Sequence, residues 1–239
     1  MHTCTNCGSQ FTDKYCSHCG MKANDGHIYF KDQLHDAMYY VFSLDSPLWK
    51  TFKGLMTNPG KVGHEYIAGK RKSYYTPIKY FILCSAIYFL VFKISGYNPV
   101  KSFYEAIGKE YRPDTFSDMI RNNLNYFIFL LVITMPIASR ALFPKQKQSF
   151  PENIAYSFFI IGHFMLLNTV FIPLVFINPY FAFIKNLTLL YIAWGIGSIN
   201  EGKIFWRLIR SFLAMLLGYL LYIILVSVIS FLISSITHH

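Results

Sequence analysis

From Tyr74 onward, apolar stretches long enough to cross a bilayer follow one another with only short charged loops between them. A helix rises about 1.5 Å per residue, so about 20 residues cover a hydrocarbon layer of roughly 30 Å. Five segments qualify: 76–97, 122–143, 153–177, 179–199 and 208–236. The first is the weakest, because only Tyr80 to Phe92 is free of charge and Lys79 and Lys93 must snorkel outward at its ends. Composition agrees. Of 239 residues, 54% are hydrophobic and 14% charged, against roughly 25% charged in soluble domains.

The first twenty residues are of another kind. Cys4-x2-Cys7-Gly8 and Cys16-x2-Cys19-Gly20 are two pairs separated by eight residues. Two thiolates three residues apart can grip one metal from a tight turn, and the glycine that follows lets the backbone turn freely. Four cysteines leave no open coordination position, which marks a structural site. Zinc is the expected metal. Two disulfides, an iron site, or His2 or His18 in place of a cysteine are the alternatives. Gln10-Phe11-Thr12 and Lys14-Tyr15, between the pairs, suit a short hairpin. The fifth cysteine, Cys84, lies in an apolar run and reads as a core residue. The polar N-terminus has no apolar run of the kind a cleaved signal peptide carries.

The expected fold class is therefore an all-α integral membrane protein with about five transmembrane helices, a small N-terminal zinc ribbon and amphipathic interfacial helices. Three regions follow: a ribbon over 1–24, basic amphipathic membrane-surface helices over 25–75, and a multi-span domain over 76–239. In the middle region, Phe30, Leu34, Ala37, Met38 and Val41 recur at helical spacing. Ser46-Pro47 reads as a helix start, and Asn58-Pro59 as a break that caps another helix. Lys50, Lys53, Lys70, Arg71 and Lys72 form a candidate lipid or partner surface. Packing of these helices on the membrane body is the alternative. His35-Asp36 and His64-Glu65 lack metal-ligand spacing, and no catalytic residue is assigned.

Loop charge orients the chain. Residues 1–79 carry ten Lys/Arg, and the loops 140–152 and 200–210 are also basic. Five spans with a cytoplasmic N-terminus put all three inside, leaving a mixed loop and a short turn outside. A reduced compartment also suits metal-binding cysteines. The expected location is a bacterial inner membrane. The outer loop holds a further amphipathic pattern at Val100, Phe103, Tyr104, Ile107 and Tyr111.

Within the spans, His163, Asn168 and Lys185 form a candidate intramembrane polar site, with interhelical bonding and snorkelling as the plainer roles. Five residues separate His163 from Asn168, so the two cannot face one narrow path from a regular helix. Gly195-x-Gly197 and Ala214-x3-Gly218 permit close helix packing or homo-oligomerisation.

The stretch Pro59-Gly60-Lys61-Val62 through Glu65-Tyr66-Ile67-Ala68-Gly69-Lys70-Arg71-Lys72-Ser73-Tyr74, with Pro77 and the two CxxCG pairs, resembles a bacterial family of uncharacterised multi-span membrane proteins. The resemblance covers about the first ninety residues and implies architecture, not activity. The layout is more loosely similar to membrane accessory proteins of RNA-guided defence systems, with no residue motif behind that likeness.

Three readings of function follow. The first is a membrane-anchored adaptor or accessory protein whose ribbon and basic collar engage a cytoplasmic protein, with nucleic acid a further candidate partner for the ribbon. The second is a channel, pore or transporter gated from the cytoplasmic side. The third, an enzyme acting on lipid through the His/acid pairs, has the least behind it.

Overall fold

A computed structural model of the chain describes residues 2–4, 7–13, 16–19, 46–110 and 127–237. The chain divides into two compact units, Met1–Ser46 and Pro47–His239. The helix expected over Phe30–Val41, the pair His35-Asp36, Tyr111 and residues 122–126 of the second expected span lie outside the described residues.

In the first unit, strand β1 (His2–Thr3) pairs antiparallel with β2 (Gln10–Phe11), His2 opposite Phe11 and Thr3 opposite Gln10. This hairpin closes around the first Cys pair; Lys14-Tyr15, of the hairpin expected between the pairs, lie outside the described residues. The cause is local. Gly8 takes a φ of 74°, which reverses the chain without a Cβ penalty. Its N–H donates to the Cys4 carbonyl and the Cys4 N–H to the Ser9 carbonyl, both at 2.9 Å.

The second unit is helical. It opens with α1 (Pro47–Thr57) and α2 (Pro59–Ile67). Each starts on a proline, whose missing N–H costs nothing at that position. The Asn58 side chain caps α2 by accepting the Lys61 N–H at 3.0 Å. Helices α3 (Pro77–Ser95) and α4 (Pro99–Ala106) follow, the latter within the expected outer-loop pattern. Then come α5 (Leu131–Leu142), α6 (Phe150–Ile177), α7 (Phe181–Leu187), α8 (Leu189–Ile199) and α9 (Ile204–Thr237).

Four segments are long and apolar enough to cross a membrane: Arg71–Ser95, Phe150–Ile177, Phe181–Ile199 and Ile204–Leu232. A shorter apolar helix covers Ile128–Leu142. The protein is thus an all-α membrane protein with four candidate spans and this fifth, shorter element. The fifth element's described part reaches only about 22 Å at 1.5 Å per residue. The segment expected at 179–199 is two helices meeting at Thr188, whose hydroxyl bonds back to the Lys185 carbonyl at 2.5 Å. The last span begins at Ile204, four residues earlier than its apolar run suggests. Outward faces are apolar: Ile82, Leu90, Val170, Leu190, Leu220 and Val228 are all exposed. Such faces suit lipid and not water.

Inside the body, α3 packs along α6, and α9 along α5 and α8. Small residues set the approach distances. A Cβ on Gly162 would lie 3.0 Å from Phe81 Cα, and one on Gly218 would lie 2.6 Å from Met135 Sδ. Gly195 takes the Ile160 side chain in the same way. The small-residue spacings therefore serve packing within one chain.

Helices α1 and α2 belong to the same unit as the spans. Thr51 and Leu55 are fully buried. Thr51 Oγ1 accepts the Tyr75 N–H at 2.8 Å, and Tyr191 Oη donates to the Leu55 carbonyl at 3.1 Å. The backbone of α2 lies on the end of α8, where a Cβ on Gly60 would sit 2.2 Å from the Ser198 carbonyl oxygen. Because the obstacle is main chain, it cannot rotate away. Gly60→Ala is expected to destabilise the body by about 1–3 kcal/mol, read as a lower unfolding midpoint in detergent. Ala at Gly69, where φ is 99° but space is open, tests backbone strain alone.

Candidate metal centre and polar sites of the body

The first unit gathers Cys4, Cys7, Cys16 and Cys19, whose sulfurs all lie within 4.8 Å of one another. Cys4 Sγ is 3.5 Å from Cys19 Sγ, and Cys7 Sγ is 3.6 Å from Cys16 Sγ. A tetrahedral ion with metal–sulfur bonds of about 2.3 Å has sulfur–sulfur edges of about 3.8 Å. The four thiols thus have the spacing of a closed tetrathiolate shell and could hold a metal ion. Cys4 and Cys16 are buried, while Cys7 and Cys19 are exposed. His18 is exposed and stands outside the group.

Ser9 is a member of the site that sequence reasoning missed. Its Oγ lies 2.9 Å from Cys7 Sγ and 3.1 Å from Cys16 Sγ. That hydroxyl, helped by the Cys19 N–H, brings the Cys16 thiol down to about 6 and also lowers that of Cys7. Both shifts favour thiolates, the form that binds metal. A hydroxyl directly after the first CxxCG was the available signal.

In the second unit, the three intramembrane polar residues form two separate sites. His163 is fully buried on α6. Its Nδ1 lies 2.7 Å from Tyr80 Oη, and its Nε2 lies 3.4 Å from the Met56 sulfur. An Nε2–H tautomer satisfies both contacts. The rings of Phe52 and Tyr191 lie 5.3 and 5.1 Å from the imidazole. His163 is thus the hub where α1 meets the spans. Met56 and Tyr80 carried no sequence signal for this role.

Asn168 and Lys185 meet at the α7–α8 break, at the opposite end of the body from α2. Asn168 donates to the Phe164 carbonyl at 2.9 Å and to Thr188 Oγ1 at 3.0 Å. Lys185 Nζ donates to Asn168 Oδ1 at 3.5 Å and stands 5.3 Å from the Tyr97 ring centre. The Asn168–Thr188 bond is the interhelical bonding that the sequence allows for Asn168, whereas Lys185, expected to snorkel, meets Asn168. A cavity of about 100 Å³ adjoins them, also lined by Tyr88, Tyr219 and Tyr222.

The basic collar is partly engaged. Lys70 pairs with Glu65 at 3.2 Å, Lys50 stands over the Tyr74 ring at 5.2 Å, and Arg71 over the Tyr66 ring at 5.9 Å. Lys53 and Lys72 are exposed. Glu65 accepts the Tyr74 hydroxyl at 2.7 Å, so its partner is that phenol and not the adjacent His64. The phenol, then Lys70, hold its carboxyl below the usual range. A depressed carboxyl contributes stability above its unfolded value and loses it as pH falls through the folded one. In Tyr74→Phe, the Glu65 titration followed by carboxyl NMR is expected to move back up toward the ordinary value. An unmoved titration would assign the shift to Lys70 alone.

Residues 45–89, which run from the start of α1 into α3, match a family described as "Protein of unknown function (DUF3667)". With the four-cysteine cluster, this match fits an uncharacterised family with an N-terminal metal-binding motif. No curated protein and no solved structure matches the chain.

Proposed function

We propose that the chain is a membrane-anchored adaptor, which holds a zinc ribbon at the cytoplasmic face of a bacterial inner membrane to engage a protein partner. The observation that carries this reading is the division of labour between the units. The described residues of one unit gather four thiols, a donor set that leaves no open coordination position on a metal. In the other, His163 and Asn168 spend their hydrogen bonds on neighbouring helices and, for Asn168, also on its own helix. Zinc is the metal that two CxxCG turns with a closed sulfur shell suit best. The basic residues around α1, α2 and the 140–152 and 200–210 loops support an inside N-terminus.

Two experiments test the reading. Photo-crosslinking from Thr12 or Ser17 in cells is expected to trap one discrete partner, and Cys16→Ser is expected to abolish that product without lowering membrane insertion. A crosslink pattern unaltered by Cys16→Ser would overturn the adaptor role. A topology reporter after His239 is expected to read the exterior. A second reading, a conducting path, draws on Lys185 and the tyrosine-lined cavity beside it. Ion flux in liposomes that Lys185→Met alters would favour that reading over the adaptor.

A further inference from the structure

Two adjoining cavities lie at the end of the body where α2 packs. One, about 240 Å³, lies between the 143–148 loop and Ile199–Glu201. The other, about 330 Å³, lies against the start of α9, and the two share Phe143, Glu201 and Arg210. The second falls at the lower end of the range of small-ligand sites, and the first adjoins it.

The walls are cationic. Lys145, Lys203, Arg207 and Arg210 line them. Among the described residues, none of these four has a carboxylate within salt-bridge distance. The carboxylate present, Glu201, is held by Lys147 at 2.8 Å. The start of α9 at Ile204 adds main-chain N–H groups and the positive end of a long helix.

A second observation is independent of charge. Gln148 is 8% exposed and Asn200 4% exposed. Gln148 Nε2 donates to the Ile199 carbonyl at 3.1 Å, and Asn200 Nδ2 donates to the Ile196 carbonyl at 2.8 Å. These bonds fix which end of each amide is oxygen. Among the described residues, Gln148 Oε1 and Asn200 Oδ1 then have no partner, and neither amide atom of Gln146 has one. Buried acceptors call for a donor.

Cations and a helix N-terminus select a phosphate. The amide oxygens select a ligand that also donates hydrogen bonds. An ammonium headgroup would face four like charges, so hydroxyls fit better. Position supplies the source. Phe205 and Trp206, 64% and 58% exposed, flank the cleft at the start of a lipid-facing helix, where aromatic side chains mark the headgroup level. We infer that this cleft binds the headgroup of an anionic phospholipid bearing free hydroxyls, with the phosphate on Arg207 and Arg210 and the hydroxyls on the Gln148 and Asn200 amide oxygens. The site is independent of the ribbon and of the adaptor reading.

The full chain in detergent, titrated with defined lipids and read by native mass spectrometry, tests this. Phosphatidylglycerol is expected to bind at least tenfold more tightly than phosphatidylcholine. Phosphatidic acid, which keeps the phosphate without the headgroup hydroxyls, should fall between them. Arg207→Gln with Arg210→Gln should bring phosphatidylglycerol down to the phosphatidylcholine level. The collar variant Lys70→Gln, Arg71→Gln, Lys72→Gln should keep the preference. Gln148→Met should erase the advantage of phosphatidylglycerol over phosphatidic acid. Equal binding of phosphatidylglycerol and phosphatidylcholine by the wild type would overturn the inference. So would an equal loss in the α9 and collar variants, which would reduce the effect to general surface charge. Full displacement of the lipid by soluble glycerol phosphate at equal concentration would assign the cleft to a free phosphate metabolite instead.

Discussion

Cys16→Ser is expected to leave the first unit without metal and without structure. Purified wild-type protein should carry one zinc per chain by elemental analysis, and the variant should carry none. The size of the effect follows from how little else holds the unit together. Its strands are two residues long, and its buried apolar cluster among the described residues is Cys4 and Cys16 themselves. Structural zinc contributes on the order of 10–16 kcal/mol in zinc-finger peptides, where binding and folding are one event. Amide signals of residues 2–19 should therefore collapse in the variant and in chelated wild type alike. The body, a separate unit, should keep its unfolding midpoint. Full zinc retention in Cys16→Ser would mean that the ligand set is wrong. Ser9→Ala makes a milder companion. It removes the hydroxyl that lowers both the Cys7 and Cys16 thiols, so zinc release on acidification should begin at a higher pH than in the wild type.

The second large effect is expected at His163. Replacing it by Ala leaves a ring-sized gap between Phe52, Tyr80 and Tyr191 and removes the ring nitrogen 2.7 Å from the Tyr80 hydroxyl. Ring-to-Ala changes in a packed core cost about 3–5 kcal/mol, with the lost hydrogen bond within that total. The unfolding midpoint in detergent should fall accordingly. His163→Phe restores volume without the hydrogen bond and should recover most of the loss. Because His163 also meets Met56, the Ala variant should loosen α1, seen as faster backbone exchange at Leu55. If His163→Ala were neutral for stability, the hub would not exist, and a role in transport would regain force.

Several features were legible in the chain as written. The two CxxCG pairs fix their own grouping, because Cys pairs three residues apart can converge on one ion whatever the rest of the protein does. Pro47, Asn58-Pro59 and the long apolar runs mark helix starts and spans by local chemistry alone. Apolar length identifies Phe150–Ile177 as surely in sequence as in structure.

What tertiary structure decided is how these pieces face one another. Charge and periodicity show α1 and α2 to be amphipathic but cannot say whether their apolar faces meet lipid or protein, since both are apolar. Gly60 on Ser198, Thr51 on Tyr75 and Tyr191 on Leu55 put part of both helices against protein. His163, Asn168 and Lys185 look alike in sequence as polar residues in apolar runs. Long-range packing alone sends the first to Tyr80 and Met56 and brings the other two together. The amide oxygens of Gln148 and Asn200, without a partner among the described residues, were invisible for the same reason: whether a polar group is satisfied depends on its neighbours in space, and a sequence records only the group. The sequence by itself determined the four-cysteine group that could hold a metal ion, the helical class and four of the membrane-length segments, because those follow from local spacing and length. The fold alone decided which polar groups are spent on packing and which, among the described residues, are left without a partner.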